Sequence, residues 1–550
     1  MARREMRIEG MTCAHCETTI AGALGAAGAE DVRASWREGL ATFEPGSASD
    51  GRLRAAVETA GYRVTGITED AQAQRREGAP PVAGVEPGYD LVVLGSGSAA
   101  FAAAIRATEA GFRVVLVEES VVGGTCVNVG CVPSKAMLAP ADALFRAGHS
   151  PFPGIRTAAS GVDLAALVDA KADLVGTLRT GKYLDLARDH GFTVIPGHAE
   201  FVDPETVVVG GEPVRGRRYL IATGASPAIP PIAGLADAGC LTSTTALELR
   251  EVPERLAVIG ANAIGLEMGQ LFLRLGSRVT FLEAMPRITP LEEPEVAPTM
   301  TSVLEQEGAS VLTGARVTSV ARDGGQRVVA FEHEGGERRL AVDQVLVATG
   351  RRPNTAGLGL ERAGIEITER GAVRVDEHLR TANPRVWAAG DVTGHPQFVY
   401  VAAYEGNLAA QNALEGAGLR VDLTALPRVI FTAPTVAAVG LTDSEATARD
   451  IACECRVLPL SAVPRALVNR DTRGFVKIVA ERSTGRIVGA TVVADGAGDV
   501  IQAAIYAVRF GLTTEQVAGT WAPYLTFAEG FKLAAQTFTR DVTRLSCCAA

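Results

Sequence analysis

Apolar and polar positions over the first 70 residues change in short alternating and helical stretches. They predict a strand over Arg3–Glu9, a helix over Ala14–Ala27, a strand pair over Asp31–Trp36 and Leu40–Phe43, a helix over Asp50–Ala60 and a strand over Tyr62–Ile67. Polar, proline-marked residues then run from Ala71 to Pro87 and read as a flexible linker. Beyond it the apolar run Leu91–Leu94 enters Gly95-Ser96-Gly97-Ser98-Ala99-Ala100, followed by a helical stretch to Ala110 and a strand over Val114–Val117 that ends at Glu118. The unit recurs: strand Leu256–Ile259, turn Gly260-Ala261-Asn262-Ala263-Ile264-Gly265, helix to Leu275, strand Val279–Leu282, then Glu283.

The first segment has the β-α-β-β-α-β order of ferredoxin-like units. The two later units are Rossmann-type β-α-β folds, so the chain is expected to be α/β. In the first, Gly95 permits the tight turn, Gly97 lets backbone approach a pyrophosphate, Ala100 takes the packing position, and Glu118 is placed to accept from a ribose hydroxyl. In the second, Asn262 replaces the middle glycine, and its tolerance of the left-handed region makes it an acceptable substitute. Glu283 there suits a free 2′-hydroxyl and repels a 2′-phosphate, with Arg278 and Arg287 close enough in sequence to compensate.

Composition narrows the classes. A 550-residue chain with 47 % hydrophobic and 21 % charged residues has the make-up of several globular domains. A net charge of −10 argues against a nucleic-acid partner. No apolar stretch suits a secretory leader or a bilayer span, so the expectation is a cytoplasmic protein without membrane insertion. Its nine cysteines are then expected to be reduced, and clustered ones to be catalytic or metal-binding.

They do cluster. Cys126 and Cys131 lie in Gly123-Gly124-Thr125-Cys126-Val127-Asn128-Val129-Gly130-Cys131-Val132-Pro133-Ser134-Lys135, where glycines, a helix N-terminus and Lys135 favour thiolate and a reversible disulfide. Cys13 and Cys16 lie in Gly10-Met11-Thr12-Cys13-Ala14-His15-Cys16, expected on an exposed loop where two thiolates grip a linear soft ion, with His15 only a spacer. Cys547 and Cys548 are adjacent at the end of the chain, a spacing better suited to handing on a soft cation than to a stable cross-link. Cys453 and Cys455 read as a strand pair and Cys240 as a loop or buried thiol; the remaining histidines have no ligand spacing.

The dithiol segment, the two glycine turns, Ala222-Thr223-Gly224-Ala225-Ser226-Pro227, Ala348-Thr349-Gly350-Arg351-Arg352-Pro353-Asn354 and Ala388-Ala389-Gly390-Asp391-Val392 together resemble the flavoprotein disulfide reductases over about residues 88 to 540. The N-terminal unit resembles a heavy-metal-associated domain. The resemblance implies FAD held by Gly95, Gly97, Ala100, Glu118, Gly124, Thr125, Lys135, Thr223, Gly224 and Asp391. It implies NAD(P)H held by Gly260, Asn262, Gly265, Glu283 and Gly350, with NADPH expected and NADH allowed by Glu283. Cys126 would be the interchange thiol, Cys131 the thiol against the flavin, and Lys135 would pair with Glu267. The implied division is a metal-associated domain at 1–70, linker 71–87, FAD domain 88–225 continued at 354–424, NAD(P) domain 226–353, an α+β dimerisation domain at 425–538 and a Cys-Cys tail at 539–550, in a homodimer with shared active sites.

Departures select a branch. Glutathione and lipoamide reductases carry a histidine five residues before a C-terminal glutamate, whereas here Tyr524 precedes Glu529 at that spacing. A phenol with a pKa of about 10 is a poor proton shuttle at neutral pH. With the terminal dithiol and the metal-associated unit, the chain resembles the mercuric reductases, which implies Hg(II) as a thiol complex, captured by Cys13/Cys16 or arriving directly, passing to Cys547/Cys548 of one subunit and on to Cys126/Cys131 of the other, with Tyr183 and Tyr524 lining the metal pocket. A lipoamide-dehydrogenase-like disulfide reductase and a metal scavenger without turnover are the alternatives.

Overall fold

The computed structural model describes residues 4–11, 14–35, 39–46, 48–69 and 88–544. The chain divides into two compact units, Met1–Glu86 and Pro87–Ala550.

In the first unit β1 (Arg4–Glu9), α1 (Ala14–Ala26), β2 (Glu30–Ser35), β3 (Leu40–Glu44), α2 (Asp50–Thr59) and β4 (Arg63–Glu69) follow in the order expected. The sheet runs β2-β3-β1-β4, with β1 antiparallel to both its neighbours. Its core is built by alternation in the strands, as Met6 and Ile8 or Ala41 and Phe43, and by the helical spacing of Cys16, Ile20 and Leu24.

The second unit opens with β5 (Tyr89–Leu94), whose last four residues are buried, α3 (Ser98–Glu109) and β6 (Val114–Glu118). These belong to a parallel sheet ordered Val386–Ala388, Gly216–Ile221, β5, β6, Thr193–Pro196. A second parallel sheet is ordered Ser310–Thr313, Arg278–Glu283, Arg255–Ile259, Gln344–Val347. Runs of apolar residues without alternation fit strands covered on both faces. Two glycines are required by close approach. A Cβ on Gly406 would lie 2.0 Å from the Ala99 carbonyl oxygen, and one on Gly265 2.0 Å from the Gly260 oxygen.

The C-terminal part is an antiparallel sheet ordered Pro427–Ile430, Thr435–Gly440, Ile487–Ala494, Phe475–Glu481, Cys453–Pro459. Helix Ala497–Phe510 packs its buried stripe of Val500, Ile501, Ala504 and Ala507 into the same core. Lys477, 1 % exposed, ties this sheet to the loop that follows strand Arg278–Glu283 through Glu293 at 2.9 Å and Glu295 at 2.9 Å. Cys453 and Cys455 share one face of the edge strand, against Ala446, Val479 and Val488, and Cys240 is a half-buried loop thiol. Among the described residues no helix is long and apolar enough to cross a membrane.

Candidate active site

The first nucleotide cradle is built by backbone. Gly95 has φ +107°, and a Cβ there would sit 2.4 Å from the Ala222 carbonyl oxygen. Gly97 caps α3 without a side-chain hydrogen bond, which leaves first-turn N–H groups for an anion. Ala100 is fully buried in the packing position. Glu118 ends β6 and accepts from the Ser96 hydroxyl at 2.5 Å and from the Ser120 N–H at 2.8 Å. Thr223 donates to the Asn354 carbonyl at 2.7 Å and orders the turn that carries Gly224. Asp391 opens a short 3-10 turn after Gly390, 3.8 Å from Arg351, and burial raises its pKa while Arg351 opposes the rise. This dinucleotide-shaped cradle, with a half-buried carboxylate at its far end, fits FAD.

The cysteine segment abuts that cradle. Gly124 has φ +64°, and a Cβ on it would stand 2.5 Å from the Gly97 Cα. The phosphate turn and the dithiol are therefore one packed piece. Cys126 lies in α4 (Gly124–Asn128), and Cys131 is the first residue of the 18-residue α5 (Cys131–Gly148). Both are free thiols. The hydrogen bond between them, with burial, pushes the Cys126 thiol up, and the same bond, aided by the Lys135 ammonium, lowers Cys131 to about 7. The position of Cys131 at a helix start also favours its thiolate.

Lys135 Nζ lies 2.7 Å from Glu267 Oε2 and 4.3 Å from the centre of the Phe431 ring. The other oxygen of Glu267 accepts from the Phe431 N–H at 2.9 Å. A thiolate at Cys131 is lost as pH falls through about 7. We therefore expect Lys135→Met, which removes the stabilising cation, to move the acid limb of kcat/KM to higher pH, and an unmoved limb counts against this assignment.

Tyr183 sits in the π-helical turn Thr180–Leu184, edge-on to Phe101 with ring centres 4.8 Å apart. Burial raises its pKa, and its ring reaches the dithiol turn, with Cδ2 3.5 Å from where a Cβ on Gly123 would stand. Arg351, unassigned from sequence, also belongs here: it donates to the Ala225 carbonyl and to Thr125 Oγ1 at 3.3 Å. Its place in the Ala348–Asn354 motif was the available signal. His395, given no role, is bonded to the buried Glu405 at 2.5 Å, and Glu405 in turn accepts from the Gly390 N–H beside Asp391.

Three site expectations change. Asn262 has φ −102° and ψ −167°, an extended N-cap like Gly97 at φ −77° and ψ −169°, so the middle position never demands the left-handed region. Cys16 is not on an exposed loop: it lies in α1 and is 7 % exposed, because the spacing of 16, 20 and 24 turns it into the core. Arg278 and Arg287 do not attend Glu283. Arg278 is paired with Glu254 at the opposite end of the strand, and Arg287 bonds the carbonyls of Pro290 and Glu292 at 2.9 Å.

The second turn otherwise repeats the first: Gly260 has φ +97°, and Gly350 has φ +126° with open space where a Cβ would be. Its backbone and the Glu283 carboxylate fit a second dinucleotide. Tyr524 is 50 % exposed, in a loop with Trp521 at 97 %. Cys13, Cys547 and Cys548 lie outside the described residues.

Residues 89–406 match the family described as pyridine nucleotide-disulphide oxidoreductase, and 426–535 match the dimerisation domain of that family. A mercuric reductase from Staphylococcus aureus is 46 % identical over 98 % of this chain and 98 % of its own length. One from Streptomyces lividans is 53 % identical over 84 % of this chain and 98 % of its own. Among solved structures, a Cu(II) complex of the HOCl-induced flavoprotein disulfide reductase RclA from Escherichia coli shares 30 % identity and a TM-score of 0.75, covering 83 % of this chain and all of that one. The chain thus belongs to the pyridine nucleotide-disulphide oxidoreductases, which use FAD and NAD(P)H, and within them to the mercuric reductase family.

Proposed function

We propose that this protein reduces thiol-bound Hg(II) to Hg(0) in the cytoplasm, with NAD(P)H as electron donor. The observation that carries the reading is the free Cys126/Cys131 pair, one thiol acidified beside Lys135, packed directly on the first nucleotide cradle. Hg(SR)2, NAD(P)H and one proton give Hg(0), NAD(P)+ and two RSH. Bound FAD supplies the two-electron relay from the nicotinamide. The chain's own part is exchange and positioning. Cys126, the interchange thiol, takes the metal from its carrier thiol and gives up its proton, Cys131, the thiolate on the flavin side, completes the two-sulfur grip, and the Lys135–Glu267 pair holds the counter-charge. Gly95, Gly97, Gly124, Thr125, Thr223, Gly224 and Asp391 would hold FAD; Gly260, Asn262, Gly265, Glu283 and Gly350 the nicotinamide coenzyme.

The dimerisation domain supports a homodimer. We place Tyr524 and the Cys547/Cys548 tail of one subunit at the dithiol of the other, a reading supported by the exposed apolar loop around Trp521. Cys13 and Cys16 would deliver metal, and Tyr183 would line the metal pocket beside Cys126.

The test is NAD(P)H oxidation by the purified flavoprotein with Hg(II) on excess small thiol, with volatile mercury collected. Stoichiometric mercury vapour is expected. NAD(P)H loss only with an organic disulfide would replace this reading with disulfide reduction.

A further inference from the structure

We infer that the second nucleotide site takes NADH in preference to NADPH, with Glu283 as the residue that sets the choice. The inference rests on the family's use of a nicotinamide coenzyme and not on mercury. Glu283 is 7 % exposed at the tip of strand Arg278–Glu283. Its carboxylate is fixed by two backbone donors: the Ala261 N–H of the glycine turn at 2.7 Å and the Met285 N–H at 2.8 Å.

The first fold of the same chain provides an internal standard. FAD carries a free hydroxyl at the 2′ position of its adenosine ribose. There Glu118 lies the same 23 residues beyond the turn's first glycine. It is held from the same two places, by the residue after that glycine, here through the Ser96 hydroxyl at 2.5 Å and not a backbone N–H, and by the N–H two residues on, that of Ser120, at 2.8 Å. The second fold copies the arrangement built for an unphosphorylated ribose. A carboxylate accepts from that hydroxyl and repels a phosphate.

Neighbouring cations are otherwise engaged. Arg278 starts the strand, five residues and about 16 Å from Glu283 at the usual strand rise, and it is paired with Glu254. Arg287 is folded back on two carbonyls through one amino nitrogen, and its other amino nitrogen, though without a hydrogen-bond partner, is buried away from solvent. Arg316 follows Ala315, whose N–H bonds the Glu283 carbonyl, but it is paired with Glu332 at 2.6 Å. The positions just past Glu283, where a phosphate would need a cation, are exposed Ala284, Met285 and Pro286.

The experiment is calorimetric titration of the holoenzyme with ADP-ribose and with its 2′-phosphorylated form, neither of which donates a hydride. Flavin bleaching by NADH and by NADPH is followed in parallel. ADP-ribose is expected to bind at least ~30-fold tighter, a ratio equivalent to ~2 kcal/mol. Glu283→Gln should shrink that ratio at least about threefold by removing the charge. Because Glu283 is buried, Ala284→Arg on the exposed loop provides an independent arm: it should tighten the phosphorylated fragment about tenfold, as a new cation beside a phosphate does. A 2′-phosphorylated fragment that binds the unaltered protein as well as ADP-ribose overturns the inference, as does an unchanged ratio in Ala284→Arg. Hg(II) takes no part, so either result leaves the mercury proposal to its own test.

Discussion

Cys126→Ala and Cys131→Ala are each expected to lower Hg(II)-dependent NAD(P)H oxidation by about 10³-fold or more, as deletion of a covalent participant does. The two thiols are electronically unlike, yet neither can substitute for the other. Cys131 carries the acidified sulfur beside Lys135. Cys126 keeps its proton while its partner is ionised, because their shared hydrogen bond and burial raise it. A single remaining thiol competes one-for-one with every small thiol in solution, whereas the pair gains from chelation. Both variants should retain flavin and its reduction by coenzyme, since neither sulfur builds the phosphate turn. The assay follows coenzyme absorbance and mercury vapour with Hg(II) held on excess thiol. A variant that keeps a tenth of the activity removes the dithiol from the reaction.

Gly124→Ala is expected to act on the cofactor instead. The residue has φ +64°, which costs about 1–2 kcal/mol with a Cβ present. The added carbon would also stand 2.5 Å from the Gly97 Cα, a backbone atom that no rotamer change can move. Relief requires the dithiol turn to back away from the phosphate turn, and both lose their shape. We expect flavin content after purification to fall at least ~10-fold, the change that ~1.4 kcal/mol produces, read from the visible-to-ultraviolet absorbance ratio. Gly176→Ala serves as control, because it lies in helix Leu164–Arg179 with nothing within 4 Å of its Cβ. Equal flavin in the two proteins would break the link drawn between the turns.

Much of this was legible in the sequence because the chemistry sits in local motifs. The glycine turns and their terminal acids are bounded by strand and helix patterns that the structure reproduces within a residue or two. The Lys135–Glu267 pair spans 132 positions and came from family resemblance, not from pattern. What escaped the sequence is what depends on facing. Cys16 looked like a loop ligand because its motif is glycine-led and polar, but helical phase turns it inward. Asn262 drew attention to backbone freedom where the fold asks only for an extended cap. Arg351 and the His395–Glu405 pair reach the site from remote segments, and single-chain spacing cannot encode which side chains converge after folding.

Glu267 stands on helix Ala263–Arg274 of the coenzyme fold, receives Lys135 from the dithiol helix, and accepts the N–H of Phe431 at the edge of the C-terminal sheet. One carboxylate is therefore a rivet through three segments that evolution or an engineer would otherwise treat as exchangeable. A chimera that imports its coenzyme fold or its C-terminal sheet from another reductase would keep the Cys126 bond and the ammonium that acidify Cys131, but would have to resupply the carboxylate that seats Lys135.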